Sequence, residues 1–299
     1  MKRTIGKKRY DVKELTIAFL FLLPAFAIFT IFKYIPLLDN FRLSLTNWNL
    51  FNPNFKFVGF DNYVKIFKSD LFWKILGNTA FYTVASTLIS LILGFFVAKC
   101  LFAQKGKWPK VFSTLFFIPN ITTASAVAIL WIWLFDPDFG FSGQFFNMLG
   151  MQSPRWLLTP QYSMWVVISL SVWRSIGYVM LIYTSGMTAI SDDIYEAASI
   201  DGASRFQQTM KITVPLLKPT TYFLMLTMMI QAMQVFDIVS VMTGGGPFNS
   251  TNVINLYIYQ TAFQRNKAGY ASALSVILFF ILLAFTIIKQ IAGKNKEEN

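Results

Sequence analysis

The sequence contains no histidine and a single cysteine, Cys100. The first absence removes the usual general base and the commonest metal ligand. The second excludes a disulfide framework or a CxxC site within the chain. Charge is scarce as well: 13% of residues are charged, against about 25% in a typical soluble domain. No run is rich in Gly/Ser or in Pro, and no GxxxxGK[ST] phosphate loop occurs, so the chain does not hydrolyse ATP by that route. What is abundant is apolar mass: 55% of the 299 residues are hydrophobic, Phe alone occurs 32 times, and the mean hydropathy is +0.51. A soluble fold this apolar could not cover its own surface with polar groups.

A bilayer core of about 30 Å takes roughly 20 apolar residues per helix. Stretches at about 15–35, 75–104, 111–135, 162–190 and 271–292 meet that requirement, and a more polar sixth lies at about 216–242, opening with Leu216-Leu217. The expected fold is therefore all-α: one polytopic membrane domain over residues 1–299 with six transmembrane helices. The first stretch has the basic flank of a signal peptide (Lys2, Arg3, Lys7, Lys8, Arg9) and an Ala25-Phe26-Ala27 triplet. Its apolar run continues well past that triplet, longer than a signal core needs, so it reads as an uncleaved span. Pro24, Pro119 and Asn120 are expected to kink spans one and three.

The net charge of +12 would suggest anionic partners in a soluble protein. With the N-terminus inside, the cytoplasmic segments carry 16 Lys and Arg and the outer segments 9, Arg174 within a span being the remaining one. The excess thus obeys the positive-inside rule and sets both termini in the cytoplasm; it is no nucleic-acid footprint. The outer segment 36–74 is aromatic-rich and suits an interfacial or docking role. Trp131 and Trp133 suit an outer aromatic belt, and Cys100 reads as a packing residue.

Between spans four and five the loop 191–213 is built as more than a connector. Ser191 can cap a helix whose first turn carries Asp192 and Asp193, favourable at the positive end of the dipole. Gly202 can end it at positive φ, and Ser204 with Gln207 has the spacing of a capping box for a second short helix. Pro215 is expected to drive Val214 out of the helical region and restart the chain as span five. Small Ala197, Ala198 and Ala203 would let a partner approach closely, while Glu196 and Asp201 supply charge. Residue chemistry alone leaves a docking element and a folded connector equally open.

The pattern Glu196-Ala197-Ala198, then Gly202, Ile212 and Pro215, resembles the EAA loop of binding-protein-dependent ABC importer permeases, with Val214 where leucine is usual. The segment Thr243-Gly244-Gly245-Gly246-Pro247, followed by Asn249-Ser250-Thr251, is similar to the sugar-transporting branch, although alone it is only a glycine turn. The resemblance implies that Glu196, Ala197, Ala198, Asp201, Gly202, Ile212 and Pro215 belong to coupling helices seated on an ABC ATPase dimer. It further implies a second permease subunit, an extracytoplasmic solute-binding protein, and no cofactor in this chain, ATP and Mg being bound by the partner ATPase. The setting implied is the cell membrane of a bacterium or archaeon.

Polar residues within spans usually face a protein interior or a watery cavity. Ser171, Arg174, Ser175 and Tyr178 fall on one face of span four; Gln231, Gln234 and Asp237 fall roughly on one face of span five. Amides, hydroxyls and carboxylates of this kind suit sugar hydroxyls, and Trp173, Tyr178 and Phe236 could cover an apolar ring face. By resemblance to maltose-type permeases, substrate-contacting positions match Ser171, Ser175, Tyr178, Ile230, Gln231 and Gln234, with Arg174 beside one of them. Gln231 and Gln234 stand where that pattern has asparagines, and Ile230 where it has an aromatic. Polar faces can also simply hold helices together. Arg174 could pair with Asp237 or bind an anionic substrate such as a glycerol phosphate or a uronic-acid oligosaccharide. An ion-coupled secondary transporter with Asp237 on the ion path stays open, whereas a membrane enzyme lacks a catalytic cluster.

Overall fold

The computed structural model describes residues 12–297 except 53 and 105; the basic flank from Lys2 to Arg9 lies outside the described residues. The chain is almost wholly helical, and no strand forms among the described residues beyond isolated bridges. In chain order the helices are α1 (Val12–Phe29), α2 (Ile35–Ser44), α3 (Asp61–Phe67), α4 (Asp70–Phe102), α5 (Trp108–Ile121), α6 (Ala124–Leu134) and α7 (Phe141–Met148). They continue with α8 (Pro160–Thr188), α9 (Asp192–Ile200), α10 (Arg205–Gln208), α11 (Val214–Leu216), α12 (Lys218–Met233), α13 (Asp237–Met242), α14 (Ile254–Tyr259) and α15 (Ala268–Glu297). Four continuous helical stretches are long and apolar enough to cross a membrane: Phe19–Ser44, Asp70–Phe102, Pro160–Thr188 and Ala268–Ile287.

Two expected spans are broken. The stretch 111–135 is the pair α5 and α6, bent by 99°. Pro119 sits inside α5, and the chain leaves the helix only at Thr122 and Thr123, both extended. The stretch 216–242 is α12 and α13, separated by Gln234, Val235 and Phe236. Sixteen residues of α12 reach about 24 Å, short of a bilayer core. In span one the winding stays α through Pro24 and widens to a π turn at Thr30–Tyr34.

The residues up to Val64, with Thr261–Ile277, form one compact unit. Its interior anchor is Asn62, whose Nδ2 donates to the carbonyls of Ser44 and Thr46, 2.8 Å each, while Ser44 Oγ and the Tyr63 hydroxyl lie 2.7 Å apart. The aromatic residues Phe51, Phe57 and Phe60 stay exposed, as does the apolar surface of α1 and α2.

Lys65–Gln260, with the chain from Leu278 on, forms the second unit. Here α4 and α8 pack along their length, α5 lies on α8, and α12 on α4. Two glycines permit this closeness. A Cβ on Gly94 of α4 would lie 2.4 Å from Val179 Cγ1, and one on Gly177 of α8 would lie 2.1 Å from the Phe116 carbonyl oxygen of α5. One buried apolar cluster gathers Tyr82, Val127, Val167, Leu170 and Val239; another gathers Leu91, Val179, Met180, Leu217 and Leu224. The polar cavity described below is lined by residues of both.

Candidate functional site

The break in the fifth apolar stretch opens a site. Gln234 leaves the helix at φ −102°, ψ 14°, and its freed carbonyl accepts a hydrogen bond from Asn255 Nδ2 at 2.7 Å. Beside this break lies a cavity of about 160 Å³, walled by Tyr82, Ser86, Thr87 and Ser90 of α4, Ser171, Arg174 and Ser175 of α8, and Met228, Gln231 and Ala232 of α12, with Val235 and Ile238 closing it. The lining is hydroxyl-rich with one guanidinium and one amide, and it contains no carboxylate.

Its hydrogen bonds tie α4 to α8. The Tyr82 hydroxyl and Ser171 Oγ are 2.6 Å apart; Ser171 Oγ also reaches the Val167 carbonyl at 3.1 Å. Ser86 Oγ donates to the Tyr82 carbonyl (2.6 Å) and Ser175 Oγ to the Ser171 carbonyl (2.8 Å). Arg174 is held by backbone carbonyls. Its Nε donates to the Pro119 carbonyl (3.4 Å), and its Nη2 to the carbonyls of Asn120 (3.5 Å) and Thr122 (3.0 Å). Asn120 Nδ2 answers by donating to the Arg174 carbonyl at 3.4 Å. These are the carbonyls that the end of α5 leaves without helical partners, and a cation at a helix C-terminus is also favoured by the dipole. Arg174 forms no ion pair with Asp237 among the described residues; Asp237 is exposed at the first turn of α13.

Of the expected substrate contacts, Ser171, Arg174, Ser175 and Gln231 line the cavity, whereas Tyr178, Ile230, Gln234 and Asp237 do not. Tyr178 packs against the Leu91–Val179 cluster, and Ile230 is half-buried elsewhere. Trp173 does not line it either: its ring meets Trp131 at 4.9 Å, while Phe236 meets Tyr259 at 5.3 Å. Trp131 is half-buried and donates to Ser169 Oγ at 3.1 Å, whereas Trp133 stays exposed. Cys100 is exposed rather than packed. The α4 wall was missed from the sequence. Its signal was there, as hydroxyls at 79, 83, 86, 87 and 90 spaced by about one helical turn inside an apolar run.

The loop 191–213 forms as read, up to its end. Ser191 Oγ accepts the Asp193 N–H (3.3 Å), and Gly202 takes φ +78°. Ser204 and Gln207 close a capping box, at 2.8 and 3.3 Å. Glu196 and Ala197 are exposed on α9, Ala198 is half-buried, and Asp201 caps its end. Ile200 and Phe206 stand out at 86% and 71% exposure. Pro215 does not break the helix. Val214 stays helical at φ −61°, ψ −46°, because a π turn over Thr209–Thr213, which includes Ile212, precedes it. There the Val214 N–H bonds the Thr209 carbonyl five residues back, and the Leu217 N–H resumes the ordinary spacing at Thr213. The proline, which has no N–H, falls at the change of register.

Long apolar helices around a small polar cavity, with a folded loop between two of them, suit a transport permease. The chain belongs to the binding-protein-dependent transport system inner membrane component family, whose model matches residues 90–296. It is 33% identical over 285 residues to the probable ABC transporter permease protein YurN of Bacillus subtilis, covering 94% of this chain and 97% of that one. It is 30% identical to the trehalose/maltose transport system permease protein MalF of Thermococcus litoralis, covering 96% of each. Its fold is similar to that of a chain in the solved bacterial alginate ABC transporter in complex with alginate pentasaccharide-bound periplasmic protein, with a TM-score of 0.83 at 23% identity, over 93% of this chain and 94% of that chain.

Proposed function

We propose that the chain is one permease subunit of an ATP-driven ABC importer for a sugar or oligosaccharide. The observation that carries this reading is the family membership, together with relatives of near-full coverage whose names specify trehalose/maltose, diacetylchitobiose and lactose transport. The cavity supports it: hydroxyl and amide groups recognise neutral polyols, and no carboxylate is present to favour a cation. Arg174 already donates to three carbonyls through Nε and Nη2, which supports a neutral cargo ahead of a carboxylated or phosphorylated one.

In this reading six spans cross the cell membrane with both termini in the cytoplasm, and the broken stretches α5–α6 and α12–α13 each count as one crossing. The cavity is this chain's part of a pathway completed by a second permease. Helices α9 and α10 seat on a separate ATPase pair through Ile200, Phe206 and the Glu196–Gly202 segment, and an extracytoplasmic binding protein delivers sugar from outside. ATP-driven closure of the ATPases moves α9 and, through the continuous helical path from Thr209 to Leu216, the base of α12.

The experiment is a clean deletion of this gene followed by growth on single carbon sources. The reading expects loss of growth on one sugar or a small related set, restored by the gene in trans. Unaltered growth and uptake across all sugars tested would contradict it.

A further inference from the structure

The six hydroxyls lining the cavity are unequally committed. Ser86, Ser171 and Ser175 each give their proton to a backbone carbonyl, and Tyr82, 2.6 Å from Ser171 Oγ, is then the donor of that pair. Thr87 and Ser90 differ. Both are 1% exposed, and neither hydroxyl has a hydrogen-bond partner among the described residues. Helical Ser and Thr normally satisfy themselves on the carbonyl four residues back; these two do not, and neither does Thr83 one turn before Thr87, outside the cavity lining. A buried hydroxyl without a partner is costly, and two on one wall call for an explanation. They lie three residues apart, hence on one face of α4. The same cavity is lined by Gln231 of α12, whose side-chain amide makes no hydrogen bond among the described residues.

We propose that Thr87 and Ser90 form a second recognition wall, holding neighbouring hydroxyl groups of a sugar ring in the cavity that Gln231 also lines. This rests on the sugar-importer reading above and extends the substrate path to α4. A neutral group that both donates and accepts is matched by another of the same kind, so an alcohol suits these hydroxyls. An anion would call on Arg174, whose Nε and Nη2 are already engaged with backbone carbonyls, and a metal ion would need carboxylates, which the lining lacks. The cavity of about 160 Å³ equals the liquid volume of about five waters, the scale of one ring rather than of a chain of them. A rotation about χ1 between staggered wells turns either hydroxyl to an entering ring.

The test uses the assembled importer in proteoliposomes and whichever of maltose, trehalose and lactose the wild type imports. Thr87→Val keeps volume and removes the hydroxyl; Ser90→Ala does the same at small cost in volume. Each is expected to raise the KM for uptake roughly three- to tenfold, the worth of one hydrogen bond. One monodeoxy analogue of the sugar should cost the wild type that same factor and cost Ser90→Ala nothing more. An unchanged KM, with only yield or kcat reduced, would assign both residues to packing and overturn the proposal. Independently, Ser90→Cys in a Cys100→Ser background should react with ethylammonium methanethiosulfonate and be slowed by the transported sugar. A thiol inert with and without ATP overturns the wall. A wild type that imports no neutral sugar defeats the sugar reading alone, and the thiol reactivity then decides whether α4 lines the path.

Discussion

Arg174 shows how one residue can carry two unlike readings until its partners are known. As a lone cation in an apolar span it points to an anionic cargo or to an ion pair; its bonds to Pro119, Asn120 and Thr122 make it the cap of a broken helix. Arg174→Gln is therefore expected to lower the thermal stability of the purified complex and to reduce uptake of every sugar. Charge-assisted bonds of this kind are worth about 1.5–3 kcal/mol, and Arg174→Lys should recover only part, since one ammonium cannot span three carbonyls as a fork does. Selective loss of an anionic substrate at unchanged stability would contradict the capping role. Tyr82→Phe, which removes the proton given to Ser171, should cost about 1 kcal/mol in the denaturation of the detergent-solubilised complex. The lone charge was legible in the sequence; its partners were not, because backbone carbonyls leave no mark on residue type. The α4 hydroxyls were missed for a related reason: in an apolar run, Ser and Thr pass as tolerated helix residues.

Among the elements, local chemistry was most legible where a cap dictates geometry. Ser191, Gly202 and the Ser204–Gln207 box each form as their spacing requires, since each satisfies backbone groups within four residues. The differences at this scale are one change of helical register and two helix breaks. The π turn at Thr209–Thr213 keeps Val214 helical before Pro215, and the breaks at Thr122–Thr123 and Gln234–Phe236 divide two apolar stretches that composition reads as single spans. Such features depend on partners elsewhere, Arg174 for one break and Asn255 for the other. The α5–α8 contact gives a direct test. Gly177→Ala would place a Cβ 2.1 Å from a backbone oxygen, against which no side chain can yield. The helices must separate, at a cost of about 1–3 kcal/mol, visible as a lower melting temperature and weaker uptake. At the projecting loop, Glu196→Lys is expected to reduce co-purification of the ATPase subunit and abolish uptake while leaving membrane insertion intact. An ATPase that stays bound with uptake unchanged would remove α9 from the coupling role.

For the whole molecule, few charges and apolar residues that stay exposed on the isolated chain fit the inner membrane component family to which it belongs. The net charge of +12 is a topological signal in this account. Fusing a reporter active only in the cytoplasm to residues 203 and 297 should give signal at both; silence at both would reverse the assigned orientation, and silence at one would contradict the number of spans between them. The class of protein was legible because the EAA-type loop fixes residue types over twenty positions in a loop between two apolar stretches. The identity of the cargo was less so, because recognition depends on which side chains the folded helices bring to one cavity, and four of the eight expected contact residues line this one. The most direct test of the central claim is uptake of labelled sugar into proteoliposomes containing this chain with its partner permease and ATPases. Uptake is expected to require both enclosed ATP and the external binding protein and to persist when ion gradients are collapsed. Uptake that continues without ATP and stops with the ion gradient would contradict that claim.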